Sequence, residues 1–407
     1  MQKFERTGTI FTITSSPESV LWGVLPSQRD EPLCTVDSGS IVTIDTLSHE
    51  GVLEDQGSDP IAFFGAQGID ADQVLPDAVN LVNNVPHIKG AGPHIVNRRI
   101  DIANAHAGDY LKVEVLQLTP RVPYGIISNR HGKGVLTRRF PQGKPTVSVF
   151  AQQITRNGAM WGVIDKTGPD ALARYENRLK QSDPLDDAIV QADSIGEGGA
   201  NATLPLANTS LSFAGGQRDS SDGQAERIAF PLAPFLGIMG VTPATDEHLS
   251  TVPPGDFGGN LDINLLVSGS TLYLPIQVEG AGFYVGDPHF VQGNGEVSLT
   301  ALEASLHAQL KLTVIPRVTF KAHVGALEGP MIETPDYWVT TGRALTLDEA
   351  LEHCVTETIT ALNHLYAMDD AHAYALASAC IDFNISEAVD IVKGVHACIP
   401  KSLCPMQ

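Results

Sequence analysis

Apolar and polar residues alternate along much of the first three quarters of the chain. Thr7–Thr14 and Ser40–Thr46 are rich in β-branched residues, and Tyr110–Leu118 alternates over nine positions. In Leu306–Ile315, the residues Leu306, Ala308, Leu310, Leu312 and Val314 share one parity. A period of two puts such residues on one face of a strand, so each segment predicts a strand with one buried and one wetter face. Further strands are expected at Thr146–Phe150, at Thr271–Val278 and at Gly282–Val285, the last two as a hairpin. Phe230–Val241 is apolar but punctuated by Pro231, Pro234, Gly237 and Gly240, which suits a strand with a bulge or tight connection. The period changes beyond Glu328. Thr346-Leu347-Asp348-Glu349 has the spacing of a capping box, and Leu347, Leu351, Cys354, Ile359, Leu362 and Tyr366 form a helical stripe behind it. A second helix near Asp370–Ala379 and a strand at Ile381–Val389 follow. The pattern predicts a mainly β fold: a β-sandwich or barrel-like body over 1–327, and a small α+β unit over 328–407.

Between these elements lie stretches without a clear period. A short helix is expected near Asp72–Val82, and Pro120–Gly134 reads as a long loop. Residues 181–227 are rich in Gly, Ser, Asn and Asp and read as a surface excursion. His49 and Glu50 leave the end of a strand together, but a solvated loop is the favoured reading there. His353 and His364 read as surface or edge residues on the C-terminal helix.

Charge and cysteine content narrow the function classes. The 407 residues carry a formal net charge of −21. Such a chain repels phosphates, so neither nucleic acid nor an anionic membrane is an expected partner. No window reaches the ~18 apolar residues of a membrane span, and the first residues lack a secretory apolar stretch. The five cysteines show no close pairing. A cytoplasmic protein with structural thiols is expected, without cysteine-held zinc or a disulfide framework. No G-x-x-x-x-G-K-[ST] phosphate loop and no G-x-S-x-G nucleophile elbow occur.

Candidate chemistry concentrates between Gly258 and Glu296. Asp262 precedes the expected hairpin, and Asp287, His289 and Glu296 follow its second strand. A hairpin returns its end near its start, so Asp262 and His289 are expected to meet. Carboxylate plus imidazole is a ligand set for a hydrolytic metal site, whereas the same glycines and aspartates also mark ordinary turns. The segments Gly258-Gly-Asn-Leu-Asp262, Gly269-Ser-Thr-Leu-Tyr-Leu-Pro275 and Gly286-Asp-Pro-His-Phe-Val-Gln-Gly-Asn-Gly-Glu296 resemble the signature of the acetamidase/formamidase family. Weaker similarity runs from about Ser38 to Lys401, through Pro234–Gly240 and Gly394-Val395-His396. One departure is clear: Asn97-Arg98-Arg99 stands where the family usually has Thr-Gly-Pro, leaving the loop near His94 in doubt.

The resemblance implies hydrolysis of short aliphatic amides to ammonia and a carboxylate. Combined with the chemistry, it points to Asp262, His289 and His94 as metal ligands, and to Glu296 as general base. Asn260 is the expected oxyanion donor, and Asp287, Gln292 and Gly293 are expected to contact substrate. The implied cofactor is a divalent ion, zinc first, with calcium or another divalent ion as alternatives. The implied partner is a small amide, in a homo-oligomer. A sandwich module that binds an amide or sugar without turnover is the competing reading, since fold does not dictate function.

Overall fold

A computed structural model describes residues 4–7, 10–166, 227–325 and 327–404. Residues 1–162 and 230–407 form one compact unit, and 163–229 another. Apart from Arg227, the Gly/Ser-rich excursion lies outside the described residues.

Among the described residues, strands hold 39% and helices 18%, so the fold is mainly β, with no closed barrel among them. Two large sheets carry it. In the first, Leu306–Ile315 lies between Ser40–Asp45 and Tyr110–Pro120, antiparallel to both. Its alternation is realised as expected: Leu306, Ala308, Leu310 and Leu312 are fully buried, while His307 is exposed and Gln309 and Lys311 are only half-buried. The sheet continues through Thr271–Pro275, Met331–Glu333, Tyr337–Ala344 and Lys393–Pro400 to Asp382–Glu387. The C-terminal strands therefore extend the same sheet.

The long helix Leu347–Tyr366 packs on that extension. Thr346 caps it by accepting a hydrogen bond from the Glu349 N–H. The helix can lie close because residue 342 is glycine: a Cβ there would stand 2.1 Å from the Ala350 carbonyl oxygen. Cys354 and Leu362 fill the interface together with Val395, Ala397 and Ile399. Cys354 belongs to the apolar core, which is the expected role of a structural thiol. His353 and His364 face outward, each contacting a backbone carbonyl.

The second sheet builds the site. Its central strand is Phe283–Val291, buried at eight of nine positions. Phe235–Val241, buried at all seven, pairs antiparallel on one side, and Leu302–Glu303 pairs on the other. Ile95–Asn97 and Ile100–Ile102 join it at Gly286 and Phe283. Gly258–Asn260 pairs with the outer edge of Phe235–Val241. Two expectations are corrected here. Thr271–Pro275 and Phe283–Val291 do not form a hairpin, because they belong to different sheets. The long loop at 120–134 contains a strand, Tyr124–Arg130, paired with residues 146–152. Tyr124-Gly-Ile-Ile shows no alternation because it is covered on both faces, a burial only the tertiary fold supplies. The expected helix near 72–82 resolves into a short turn, Ala71–Gln73, and a helix, Pro76–Asn84.

Candidate metal centre

The central strand is broken where its chemistry lies. Leu236 faces Pro288 and Ile238 faces Gly286, but Asp287 between them has φ of 51°. Asp262 and Glu296 also lie in the left-handed region, at 48° and 46°. Three non-glycine residues in this region each cost free energy, and such strain concentrates at functional sites. Here it turns three carboxylates toward one point. Opposite Asp287, residue 237 is glycine. A Cβ there would stand 2.5 Å from Asp262 Oδ1, 2.6 Å from Asp287 Oδ2 and 2.7 Å from His289 Cε1. The missing side chain is the space that these groups occupy.

Asp262 and His289 do meet, but through the ladder rather than a hairpin. Gly258–Asn260 and Phe283–Val291 flank the same strand, and the N–H groups of Leu261 and Asp262 both donate to the Gly237 carbonyl. Asp262 Oδ1 then lies 3.9 Å from His289 Nδ1. Glu303 faces His289 directly across the neighbouring strand pair. Its Oε1 lies 3.1 Å from His289 Nε2, as does Asp287 Oδ2.

His94 sits apart from Asp262 and His289. It joins His49 and Asp287, with His94 Nε2 3.8 Å and His49 Nδ1 3.5 Å from Asp287 Oδ1. Thr251 contacts His94 Nδ1 at 3.1 Å and fixes the ring. His49 and Glu50 are therefore not a solvated loop, since both are buried at 3% and 2% exposure. Glu50 Oε1 lies 3.4 Å from His49 Nε2. Glu50 is held by Ser128 at 2.6 Å, by Arg130 at 3.2 Å, and by Gln56. In the sequence a site at His49 and Glu50 ranks below a solvated loop, and nothing there singles out Glu303. The adjacent His-Glu pair after a strand was the only available signal, and its burial depends on segments some 80 to 250 residues away.

Among the described residues, three sets of donor atoms lie within 4.8 Å of one another: His49–His94–Asp287, Asp262–His289–Glu296 and Asp287–His289–Glu303. Two ligands about 2.0–2.2 Å from a tetrahedral ion stand roughly 3.3–3.6 Å apart, close to the His49–Asp287 and His94–Asp287 separations. Several of these atoms are buried without any hydrogen bond: His49 Nδ1, Asp262 Oδ1, Asp287 Oδ1, Glu303 Oε2 and both nitrogens of His289. Orphaned buried polar atoms are costly, and their convergence fits a bound cation.

The electrostatics agree. Burial alone would lower the His49 imidazole, but Asp287, Glu303 and Glu50 push it up to about 10. Burial would raise Glu50, yet His49, Arg130 and Ser128 hold it down to about 2. Burial, followed by the Asp287 charge, raises Asp262 well above the usual carboxylate range. Burial, followed by Asp262, does the same to Glu296. Burial, helped by the neighbouring His49 and His289, drops His94 to about 4 against the pull of Asp287. Asp262 and Glu296 are thus pushed toward their protonated forms, whereas Asp287, despite its burial, is held well below the usual carboxylate range by His289 and His94.

A cavity of about 230 Å³ opens onto the cluster. His49, His94, Asn260, Asp262, Asp287, Glu296 and Glu303 line its floor, with Leu53, Pro93, Val252 and Leu299 also in its wall. Asn260 donates to Asp390, which also lines the cavity and which burial raises to about 7. Gln292 lies beside the cavity, donating to the carbonyls of Asp262 and Ser386. Gly293 lies in the same segment, with open space where a Cβ would stand. Arg98 and Arg99 lie outside the cavity lining, and Arg99 is engaged by Asp101, Gln28 and Glu279.

Glu50 stands behind His49 as a carboxylate stands behind a metal-binding imidazole. Glu50→Gln is expected to lower zinc affinity ~10–100-fold while leaving the fold intact. Competition against a chromophoric chelator measures this, and an unchanged affinity would show that packing alone holds His49.

The sequence profile of the Acetamidase/Formamidase family matches residues 241–404. The chain is 24% identical over 245 residues to a formamidase of Methylophilus methylotrophus, covering 57% of this chain and 54% of that one. It is 28% identical over 248 residues to an acetamidase of Mycolicibacterium smegmatis, covering 53% and 52%. These alignments span about half the length of the curated relatives. In fold, the chain resembles solved acetamidases from Yersinia enterocolitica and Bacillus halodurans. The first gives a TM-score of 0.64 at 19% identity over 97% of this chain and 93% of that one. The second gives 0.62 at 18% over 95% and 97%. The motif Gly258–Glu296, from which Asn260, Asp262, Asp287 and Glu296 line the cavity, lies wholly inside the segment that matches the Acetamidase/Formamidase family profile.

Proposed function

We propose that the chain hydrolyses short linear amides of the formamide or acetamide type, releasing ammonia and a carboxylate, with a divalent ion at the cluster. The observation that carries this is the convergence of hydrogen-bond-less buried ligand atoms on the floor of a small cavity. An amide is a weak electrophile with a poor leaving group, so its hydrolysis needs an activated water, a polarised carbonyl and a proton for the departing nitrogen. A divalent ion, when bound, supplies Lewis acidity and lowers the pKa of water toward ~7. The mixed imidazole and carboxylate set suits zinc better than calcium, which takes oxygen ligands.

His49, His94 and Asp287 form one set that holds the ion, with Asp287–His289–Glu303 and Asp262–His289–Glu296 adjoining. Glu296 takes a proton from the attacking water and passes it to the leaving nitrogen. Asn260 gives one N–H to Asp390 and keeps a second for the oxyanion. The small volume of the cavity favours short acyl groups. All five cysteines are unpaired, which supports a cytoplasmic, reducing setting. Among the described residues, no helix is long and apolar enough to cross a membrane.

Ammonia release from formamide, acetamide and propionamide tests the reading. Turnover is expected to vanish on chelation and to return with zinc. Amide binding without ammonia release, in zinc-loaded protein, would make the chain a binding module instead.

A further inference from the structure

Residues 131–145 run against the composition of the chain. The chain has 47 acidic against 26 basic residues, yet this stretch holds Lys133, Arg138, Arg139 and Lys144 and no acid. It joins the strand Tyr124–Arg130 to the strand Thr146–Arg156. All four cations are exposed, and among the described residues none has a carboxylate partner. The stretch is tied to the segment behind Glu296. Val135 N–H donates to the Val297 carbonyl at 2.9 Å, and Asn129 Nδ2 to the Ser298 carbonyl at 2.6 Å. Gly134 permits this approach, since a Cβ there would stand 3.0 Å from the Ser298 carbonyl oxygen and 3.1 Å from that of Val297. Lys133 sits between the two ties and lines the cavity together with Glu296 and Leu299. Among the described residues, the other permanent cation in that lining is Arg130, which is engaged by Glu50 and Asp55. His87, also in the lining, is engaged by Glu54 and the Gly92 carbonyl. The Lys133 ammonium is therefore a free positive charge on the wall of the cavity.

We infer that the cavity takes amides that carry a carboxylate at the end remote from the amide, and that Lys133 binds this carboxylate. The inference rests on the proposed hydrolase reading for the amide end alone. The floor of the cavity is buried, whereas Lys133 is exposed and so stands at the mouth, where the far end of a short substrate emerges. An ammonium is a compact point charge on a flexible stem, and it can follow a carboxylate that approaches from solvent. One free ammonium matches the single charge of a carboxylate better than the nearly doubled charge of a phosphate. Size limits the anion as well. The cavity, at about 230 Å³, falls below the ~300–1,000 Å³ of sites for drug-sized ligands, so the substrate is the monoamide of a short dicarboxylic acid. Arg138, Arg139 and Lys144 lie farther along the same stretch. They add positive potential near the mouth and raise the local concentration of a small anion against the net charge of −21.

The test compares succinamate with butyramide, which match in chain length and differ in the carboxylate, on the full zinc-loaded chain. Ammonia release gives kcat/KM for each, and the quantity read is the ratio of the anionic to the neutral amide. Lys133→Ala is expected to lower this ratio about fivefold, the upper range for an exposed ion pair, mainly through the KM for succinamate. Lys133→Glu is expected to lower it further, and Lys133→Arg to keep it. Added salt is expected to lower the ratio in the parent chain and to leave it nearly constant in Lys133→Ala. A ratio unchanged by both Lys133→Ala and Lys133→Glu overturns the inference. So does butyramide turnover with no turnover of succinamate, a result that leaves the hydrolase reading standing. Should neither amide release ammonia, calorimetric binding of succinamate to the same variants decides. Binding that weakens in Lys133→Ala and Lys133→Glu would sink the hydrolase reading alone, and binding indifferent to Lys133, or none, would sink the inference as well.

Discussion

Asp287→Asn is expected to abolish metal retention and to lower amide turnover by at least ~10³-fold, the equivalent of about 4 kcal/mol in barrier height. Asparagine keeps the size of the side chain and tolerates positive φ, so the strained backbone at residue 287 is not the cause of the loss. What goes is a negative charge whose oxygens face His49, His94 and His289. An amide NH₂ in the place of one oxygen turns a ligand atom into a donor aimed at the cation. Elemental analysis, circular dichroism and ammonia assays on the same preparation distinguish the outcomes. Metal content and turnover near those of the parent chain would remove Asp287 from the ligand set and leave Asp262–His289–Glu296 as the alternative.

Glu296→Gln tests the proton path. A general base contributes ~10²–10⁴-fold in rate, so kcat is expected to fall within that range while KM changes little and metal stays bound. Glu296 is well placed for this role: it lines the cavity, is 8% exposed, and lies among Asp262 and His289 at the floor. Its loop is held from beneath, because Gly295 N–H donates to the Ser386 carbonyl and Ala388 N–H to the Gly295 carbonyl. Loss of metal together with activity would make Glu296 a ligand. A kcat close to that of the parent would make it a structural carboxylate and direct attention to Asp390, another acid lining the cavity.

Part of this site was legible in local pattern. Asp262, Asp287, His289 and Glu296 stand in a short motif, although Asp262 reaches the others only because Gly258–Asn260 and Phe283–Val291 flank the same strand, Phe235–Val241. Their partners were not legible. His49 and Glu50 occupy a polar turn that looks solvated in sequence, and they are buried because Ser305, Ser128 and Arg130 arrive from remote strands. Glu303 lies in a two-residue strand too short to show any period. Gly237 looked like strand punctuation, and its role as the missing wall of the centre emerges only when Asp262 and Asp287 approach it from two directions.

By itself the sequence determined the strands whose two faces differ, as in Leu306–Ile315, and the capped helix after Thr346. Both follow from a periodic demand for burial and from local capping chemistry. It also determined that carboxylates and an imidazole are gathered into one segment. The tertiary structure decided which strands pair. It placed Thr271–Pro275 and Phe283–Val291 in separate sheets, because strand pairing depends on long-range burial that a turn-rich connection does not encode. It also decided the composition of the centre, since a ligand set is a set of distances, and His49, His94, His289 and Glu303 come within reach of Asp287 only after both flanking ladders of Phe283–Val291 have formed.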